Sequence, residues 1–556
     1  MPKTYDYVIV GAGSAGCVAA YRILTQTSAD VLLLEAGPRD NNMLVHMPAA
    51  VGRVIPVKTW PYMTTPDAHT GNRPMSLAQG KLMGGSSSVN GMIYIRGQRQ
   101  DYDAWASDYG CAGWGYDDLL PYFRKAEHNE SLRNKYHNDS GPLPVSENRY
   151  RHPLSMAFVR AGQAIGLPYV NDFNGADQQG VGFFQTTTTV RGRRASTSQT
   201  YLKAVRGSAH LDVVTDALVQ RVVIEKGRAT GVVYKTRGGT QETAHAKVEV
   251  LIAAGAIGTP KVLMLSGVGP AEQLTQFGIH CVADLPVGSG LQDHLHVSVN
   301  ATTREPISIY GQDSGLASLK HGFEWLVYGR GLGTSNVLEA GIFIDTNHQG
   351  RPDVEIHFLP VLDTWDDPDH ALAGFAHGIT LKTGLIQPKA RGSVRLAGAN
   401  PEDLPLIEAN YLGVDGDVDG MIRSVKAALS VVQAEPMAQM CGDIIQPGRK
   451  IWDDRAELVE FVRRTCKTTY HPIGTCRMGP DSREAVVDTR LRVYGVEGLR
   501  VIDASVFPSI PSGNTNAPVI AVAEKAMDLI LEKGGHVEPA ADLEQGRVPN
   551  TVPVTA

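Results

Sequence analysis

The sequence predicts an α/β protein in which a Rossmann-like parallel sheet opens the chain and a second unit of mixed α+β character is inserted into it. Three observations carry that prediction. First, Tyr7-Val8-Ile9-Val10 reads as a buried strand, followed by Gly11-Ala12-Gly13-Ser14-Ala15-Gly16, a helix over roughly 15 to 24, and a second apolar run, Val31-Leu32-Leu33-Leu34, ending in Glu35. Strand, glycine turn, helix and strand within about 30 residues make a βαβ unit. Second, between about Thr302 and Asp453 the pattern changes. Val354 to Phe358 and Gly392 to Leu396 alternate as in a sheet with one face packed and the other toward solvent or ligand. Third, Leu499-Arg500-Val501-Ile502-Asp503 reads as another buried strand. A helix follows it, with Val519, Val522, Ala523, Ala526 and Ile530 on one face. Pro518 suits that helix's first turn, and Asn514, Thr515 and Asn516 suit its cap.

Composition bounds the function. Hydrophobic residues are 42% and charged residues 20% of the 556, enough apolar surface for a packed core. A formal charge of −6 provides no cationic field for a polyanion, so nucleic acid is not an expected partner. The six cysteines are scattered without a CxxC pair, which argues against a disulfide framework or a structural zinc. No secretory leader and no run of 18 apolar residues is visible, so a cytoplasmic protein without a membrane span is expected. Residues 534–556 read as a solvated tail.

Each part of the first turn has a physical task. Gly11 permits the tight turn, Gly13 lets backbone approach a pyrophosphate, and Gly16 lets the helix pack on the strand. The helix N-terminus offers unpaired N–H groups and a positive dipole end to the anion. Glu35, 19 residues beyond Gly16, suits the ribose hydroxyls of an adenosine and would repel a 2′-phosphate. The motif alone does not separate NAD from FAD. The same stretch nearly matches a serine-hydrolase G-x-S-x-G around Ser14, but it lacks the first glycine.

A second cluster, Gly84-Gly85-Ser86-Ser87-Ser88-Val89-Asn90-Gly91, follows Gly80-Lys81-Leu82-Met83. Its backbone and hydroxyl donors suit a phosphate or a polar heteroaromatic edge, and its composition also suits an ordinary surface loop. Gly80 to Gly91, continuing through Tyr94-Ile95-Arg96-Gly97 and Asp101-Tyr102-Asp103-Ala104-Trp105, resembles the first signature of the glucose–methanol–choline (GMC) flavin oxidoreductase family. Gly255 to Gly269 resembles the second. His471 to Gly479, Asp503 to Pro508 and Gly513 to Pro518 resemble its C-terminal block. The likeness covers about residues 5 to 533 and looks closest to the choline, alkanol and polyethylene glycol dehydrogenase branch.

The resemblance implies a GMC-type Rossmann-like FAD-binding domain made of residues 1–300 with 466–533, and a mixed α+β substrate-binding domain over 301–465. It implies an extended FAD, with adenosine at Gly11, Gly13, Ser14, Ala15, Gly16, Glu35 and Ala36, and with the backbone of Val219 at adenine. The isoalloxazine is expected beside Met83, Gly84, Gly85, Ser86, Asn90, Gly91 and Met92. Ala254, Gly255, Asp503, Ala504, Asn514 and Thr515 complete the cofactor set. Covalently flavinylated members carry a histidine where this chain has Val89, so FAD is expected to be non-covalent. Gly290 stands where the family usually has Asn.

Flavin-dependent alcohol oxidation needs a base for the hydroxyl proton, a hold on the oxygen, and a C–H bond aimed at flavin N5. A neutral imidazole, with an ordinary pKa of about 6.5, can be that base. His471 has Pro472 after it, which favours extended backbone, and Gly474 allows close approach. Asn514 offers an amide to orient the oxygen. In the family these positions form a His–His or His–Asn pair facing the flavin, and this chain carries the His–Asn version. The helix near Pro518 would steady negative charge at the flavin N1–C2 edge.

Other candidates carry less. His294-Leu295-His296 has i, i+2 spacing without accompanying ligands, so no metal site is expected. Glu339 resembles a family position near the substrate, where an acid would attract a cationic head. Asp363, Asp366, Asp367 and Asp369 read as an exposed loop that could serve as a lid. The expected function is therefore FAD-dependent oxidation of a primary alcohol to an aldehyde, with electrons passed to a quinone or another non-oxygen acceptor. The alternatives are a peroxide-producing oxidase, a flavin-bound hydroxynitrile lyase, or a plain adenine-nucleotide-binding protein. The expected partners are a neutral aliphatic, aryl or polyether alcohol and an external electron acceptor, in a monomer or homo-oligomer, with peripheral membrane contact left open.

Overall fold

The computed structural model describes residues 3–365 and 370–531. The opening strand runs Lys3–Val10 and pairs in parallel with Val31–Leu34, Tyr7 opposite Val31 and Val10 opposite Leu34. Tyr7 to Val10 and all of Val31–Leu34 are buried, as a parallel sheet covered on both faces requires. The complete sheet has seven strands. Leu211–Val214, Val31–Leu34, Lys3–Val10 and Gln241–Ile252 lie side by side in parallel, and Leu499–Val501 joins the end of Gln241–Ile252. Arg228–Thr236 and Ala217–Glu225 continue the sheet antiparallel.

Helix Ser14–Gln26, longer at both ends than the apolar pattern suggests, packs against the C-terminal helix Asn516–Ile530. That helix buries the predicted apolar face, and it buries Glu524 and Lys525 as well. It does so because it is wedged between Ser14–Gln26 and Tyr116–Ala126. The buried Arg22 guanidinium supplies the counter-charge, bonding Glu524 and Asp528. Residues 5–26 and 516–530 thus share one core.

The second sheet also has seven strands. Its order is Cys441–Gln446, Leu295–Thr303, Gly378–Leu385, Val354–Leu359, Ala340–Ile344 and Gly180–Phe183, all antiparallel, with Lys467–Thr468 added beside Leu295 and His296. Helices Pro153–Ala164 and Asp415–Gln433 cover one face, against Val297, Val299, Ala301, Ile356 and Leu381. Strand alternation turns His296, Ser298, His357 and Lys382 to the other face. The boundary expected at residue 300 falls inside the Leu295–Thr303 strand, and residues 153–183 supply a helix and an edge strand to this second core. Gly392–Arg395 forms a separate three-stranded sheet with Ser289–Leu291 and Leu406–Glu408.

Candidate active site

A cavity of about 940 Å³ is lined from both sheets. At one end stands the glycine turn. Gly11 has φ +100°, and a Cβ on Gly16 would lie 1.9 Å from the Gly11 carbonyl oxygen, so neither position tolerates a side chain. Gly11, Gly13, Ser14, Ala15, Glu35, Ala36 and Val219 line the cavity, whereas Gly16 lies behind it as packing. Ser14 turns its hydroxyl to Asn516 Oδ1 at 2.7 Å and ties the turn to the C-terminal helix. The Glu35 carboxylate accepts the backbone N–H groups of Ala12 (2.9 Å) and Gly37 (2.8 Å). Burial pushes its carboxyl up to about 7 against those bonds. Each oxygen keeps a further lone pair for a ligand.

The serine-rich loop packs directly on this turn, since a Cβ at Gly85 would meet Gly13 Cα at 2.7 Å. Gly85, Ser86, Asn90, Gly91 and Met92 line the cavity, while Met83 and Gly84 sit behind them. The serines do not all serve as donors to a ligand, because two of them hold the loop together. Ser87 Oγ donates to Gly84 O (2.6 Å) and Ser88 Oγ to Met83 O (2.7 Å). A residue that sequence reasoning missed anchors the loop from below. Buried Arg194 donates to the carbonyls of Val45 (2.9 Å), Ser87 (3.3 Å) and Asn90 (2.6 Å) and to Asn90 Oδ1 (2.9 Å). With only neutral oxygens around it, burial lowers its pKa to about 9. No local pattern marks Arg194, because its partners lie between about 100 and 150 residues away in sequence.

At the other end His471 and Asn514 converge, with Asn514 Nδ2 3.1 Å from His471 Nε2. The backbone places both. Tyr470, with φ +67°, turns the chain immediately before His471, whose N–H donates to Asp293 Oδ1 at 2.7 Å. Asp293 Oδ2 accepts the hydroxyls of Tyr411 (2.6 Å) and Thr468. Its carboxyl is pushed up to about 6 by burial. Behind His471 stands His294, absent from the predicted set. Its Nδ1 lies 3.1 Å from His471 Nδ1, and its Nε2 lies 3.0 Å from the Ile386 carbonyl.

These contacts decide a tautomer. A carbonyl only accepts, so His294 Nε2 carries hydrogen. Burial lowers the pKa of His294 and holds that of His471 well below the ordinary imidazole range, His294 and His357 adding to the second effect. Both rings are therefore neutral. His294 Nδ1 is then a lone pair, so His471 Nδ1 carries the hydrogen that faces it; Thr469 Oγ1, also 3.1 Å from His471 Nδ1, donates its own hydrogen to the His294 carbonyl and serves as a second acceptor. His471 Nε2 is left as an unprotonated acceptor beside Asn514.

Further polar groups at the cavity await partners. Asn514 Oδ1 is buried with none among the described residues. The helix Asn516–Ile530 begins at the cavity with no side-chain cap and no acid in its first turn. Together with the glycine cradle, these features fit the FAD that the resemblance implies. Asp503 lines the site with Ala254, Gly255, Ala504 and Thr515, and its carboxylate braces Gly255 N (2.8 Å) and Thr259 Oγ1 (2.6 Å).

Two expectations are corrected. Glu339 does not line the cavity; fully buried, it accepts from His152 N and Ser335 Oγ, both at 2.6 Å. Asp363 is not an exposed loop residue, because its carboxylate pairs with Lys382 at 2.8 Å on the cavity wall. Asp366, Asp367 and Asp369, and the tail at 534–556, lie outside the described residues. Among the described residues no group of three or more potential metal ligands is clustered, and no helix is long and apolar enough to cross a membrane.

Comparison with known proteins bears on this geometry. Residues 5–296 and 388–523 match the N- and C-terminal models of the GMC oxidoreductase family. An alcohol dehydrogenase [acceptor] of Pseudomonas putida is 41% identical over 544 residues, covering 95% of this chain and 96% of that one. Oxygen-dependent choline dehydrogenase 1 of Chromohalobacter salexigens is 41% identical over 536 residues, covering 95% of each. Among solved structures, pyridoxine 4-oxidase from Mesorbium loti superposes with a TM-score of 0.84 at 30% identity, covering 96% of this chain and 100% of that one. A formate oxidase superposes with a TM-score of 0.89 at 26% identity, covering 96% and 99%.

Proposed function

Because the chain belongs to the GMC oxidoreductase family and uses its FAD cofactor, we propose that it oxidises a primary alcohol to an aldehyde, with His471 as base and Asn514 as the hold on the substrate oxygen. The observation that carries this reading is the forced lone pair on His471 Nε2, 3.1 Å from the Asn514 amide. Bound FAD supplies the two-electron acceptor for the hydride leaving the substrate carbon. The hydroxyl sits between the two side chains, with Asn514 Nδ2 donating to its oxygen and His471 Nε2 taking its proton. The imidazolium formed is steadied through Nδ1–H to His294, whose far side rests on the Ile386 carbonyl. The ring therefore needs no rotation or tautomer change before it accepts.

Val89 offers no nucleophile at the loop, which supports non-covalent FAD. Lys382 and Lys467 on the cavity wall favour a neutral alcohol over a cationic one. The name of the Pseudomonas relative, an alcohol dehydrogenase [acceptor], supports electron transfer to an external acceptor, for which a quinone is our proposal. The pyridoxine 4-oxidase likeness keeps dioxygen as the competing acceptor. Anaerobic mixing with a panel of alcohols tests the first claim, with bleaching near 450 nm expected for primary alcohols. Re-oxidation of the bleached enzyme by a quinone faster than by oxygen is expected, and the reverse order would make it an oxidase. A protein purified colourless, or left yellow by every alcohol, sinks the reading.

A further inference from the structure

The face of the second sheet turned away from helix Asp415–Gln433 presents a row of polar side chains to the cavity. Two pairs among them stand at ion-pair distance. Lys382 pairs with Asp363 at 2.8 Å, and His357 Nε2 stands 2.9 Å from Glu355 Oε1. His296 differs. It is 5% exposed and lines the cavity, yet neither ring nitrogen has a hydrogen-bond partner among the described residues. Its cross-strand neighbour is Lys467, and Lys382 lies on the next strand of the same face. Burial first, then Lys382 and Lys467, hold its pKa well below the ordinary range, so the ring is neutral with one N–H and one lone pair. Protein interiors rarely leave a buried donor unpaired.

We propose that His296 is a specificity-determining residue that donates a hydrogen bond to a second oxygen on the substrate, so that the preferred alcohols are diols and glycol ethers. The inference rests on the alcohol-oxidation reading above and adds the substrate's far end. His294, which supports the base, immediately precedes the strand Leu295–Thr303, of which His296 is the second residue. A site built to bond an oxygen discriminates strongly against the analogue lacking it, because its own donor is then stranded.

The test compares anaerobic flavin bleaching of the FAD-loaded enzyme by 1,5-pentanediol and by 1-hexanol, its isostere with methyl in place of the far hydroxyl. The diol is expected to be favoured at least about tenfold in bleaching efficiency by the wild type, although the alkanol is more apolar. In His296→Leu the ratio is expected to fall to near one or below, and His296→Asn, which keeps a donor, should recover part of it. Equal efficiencies in the wild type, or the same preference in His296→Leu, overturn the inference while alcohol oxidation stands. Bleaching by neither alcohol overturns that parent reading and this inference together. Should the leucine variant fail to hold flavin, the wild-type ratio and the asparagine variant decide the matter.

Discussion

The two ends of the cavity are built on opposite principles. At the nucleotide end the working parts are backbone: Gly11, Gly13 and Gly16 lie within six consecutive residues, and their service is to have no side chain. At the chemical end the working parts come from four distant stretches: the side chains of His294, His471 and Asn514 and the Ile386 carbonyl, joined in one chain of hydrogen bonds. At Gly11 and Gly16 the first region tolerates no added atom, because carbonyl oxygens lie 2.4 Å and 1.9 Å from where a Cβ would stand. The second tolerates a change of atom in the supporting layers and loses function in steps.

The sharpest way to break that contrast is a single side chain placed in the turn. Gly16→Val would drive its Cβ into the Gly11 carbonyl oxygen, 1.9 Å away, in a strand–helix junction with no slack. The expected outcome is protein without bound flavin, read as the ratio of absorbance at 450 nm to that at 280 nm. Near-normal flavin content would show that the junction yields. At the other end, His471→Ala should keep the yellow colour and slow anaerobic bleaching by about 10²- to 10⁴-fold, the usual range for a lost general base. A loss smaller than tenfold would mean that another group takes the proton.

The supporting layer should give a smaller and more diagnostic change. His294→Phe leaves His471 Nδ1 only the Thr469 hydroxyl, 3.1 Å away, which can donate or accept, and so frees the ring to adopt either tautomer. A fall of roughly 10- to 100-fold is expected, less than for losing the base itself. The pH profile separates this from mere misfolding. His471 is held well below the ordinary imidazole range, so wild-type bleaching should stay flat as pH falls through about 6.5 and drop only at lower pH. His294 contributes to that depression, so its removal should move the acid limb upward. An unmoved limb would leave His294 a packing residue.

How far each region was legible before folding follows from the same contrast. The glycine turn, the flanking strands and Glu35 are contiguous, so spacing alone placed them, and even the ends of Val31–Leu34 agree with the structure. The His471 and Asn514 assignments came from family resemblance; nothing in their own neighbourhoods marks them. His294 and His296 were visible only as a strand-spaced pair suited to a metal, because their tasks depend on Ile386, Lys382 and Lys467 across the sheet. Ser87 and Ser88 looked like ligand donors for want of knowing that Gly84 and Met83 carbonyls lay within reach. Composition reveals which groups can bond, and only the fold reveals which have already done so.

Glu339 tests that last distinction at the smallest scale. Like His296 it is a buried polar side chain, but its two oxygens are already engaged, one by His152 N–H and one by the Ser335 hydroxyl. Burial raises its carboxyl pKa, so the charged form is the disfavoured one in the fold, and its contribution to stability declines as pH rises through the folded value. Glu339→Gln removes the charge and keeps one acceptor for His152 N–H, while the new amide can donate to Ser335 Oγ, whose hydroxyl is free to rotate. The melting temperature should therefore shift by no more than about 2–4 °C, the effect of roughly 1 kcal/mol in a large domain. Bleaching by a neutral alcohol should stay within about twofold of wild type, as for a residue remote from the reacting atoms. A loss beyond tenfold with the melting temperature held would put Glu339 back beside the substrate, and with it a place for a cationic head.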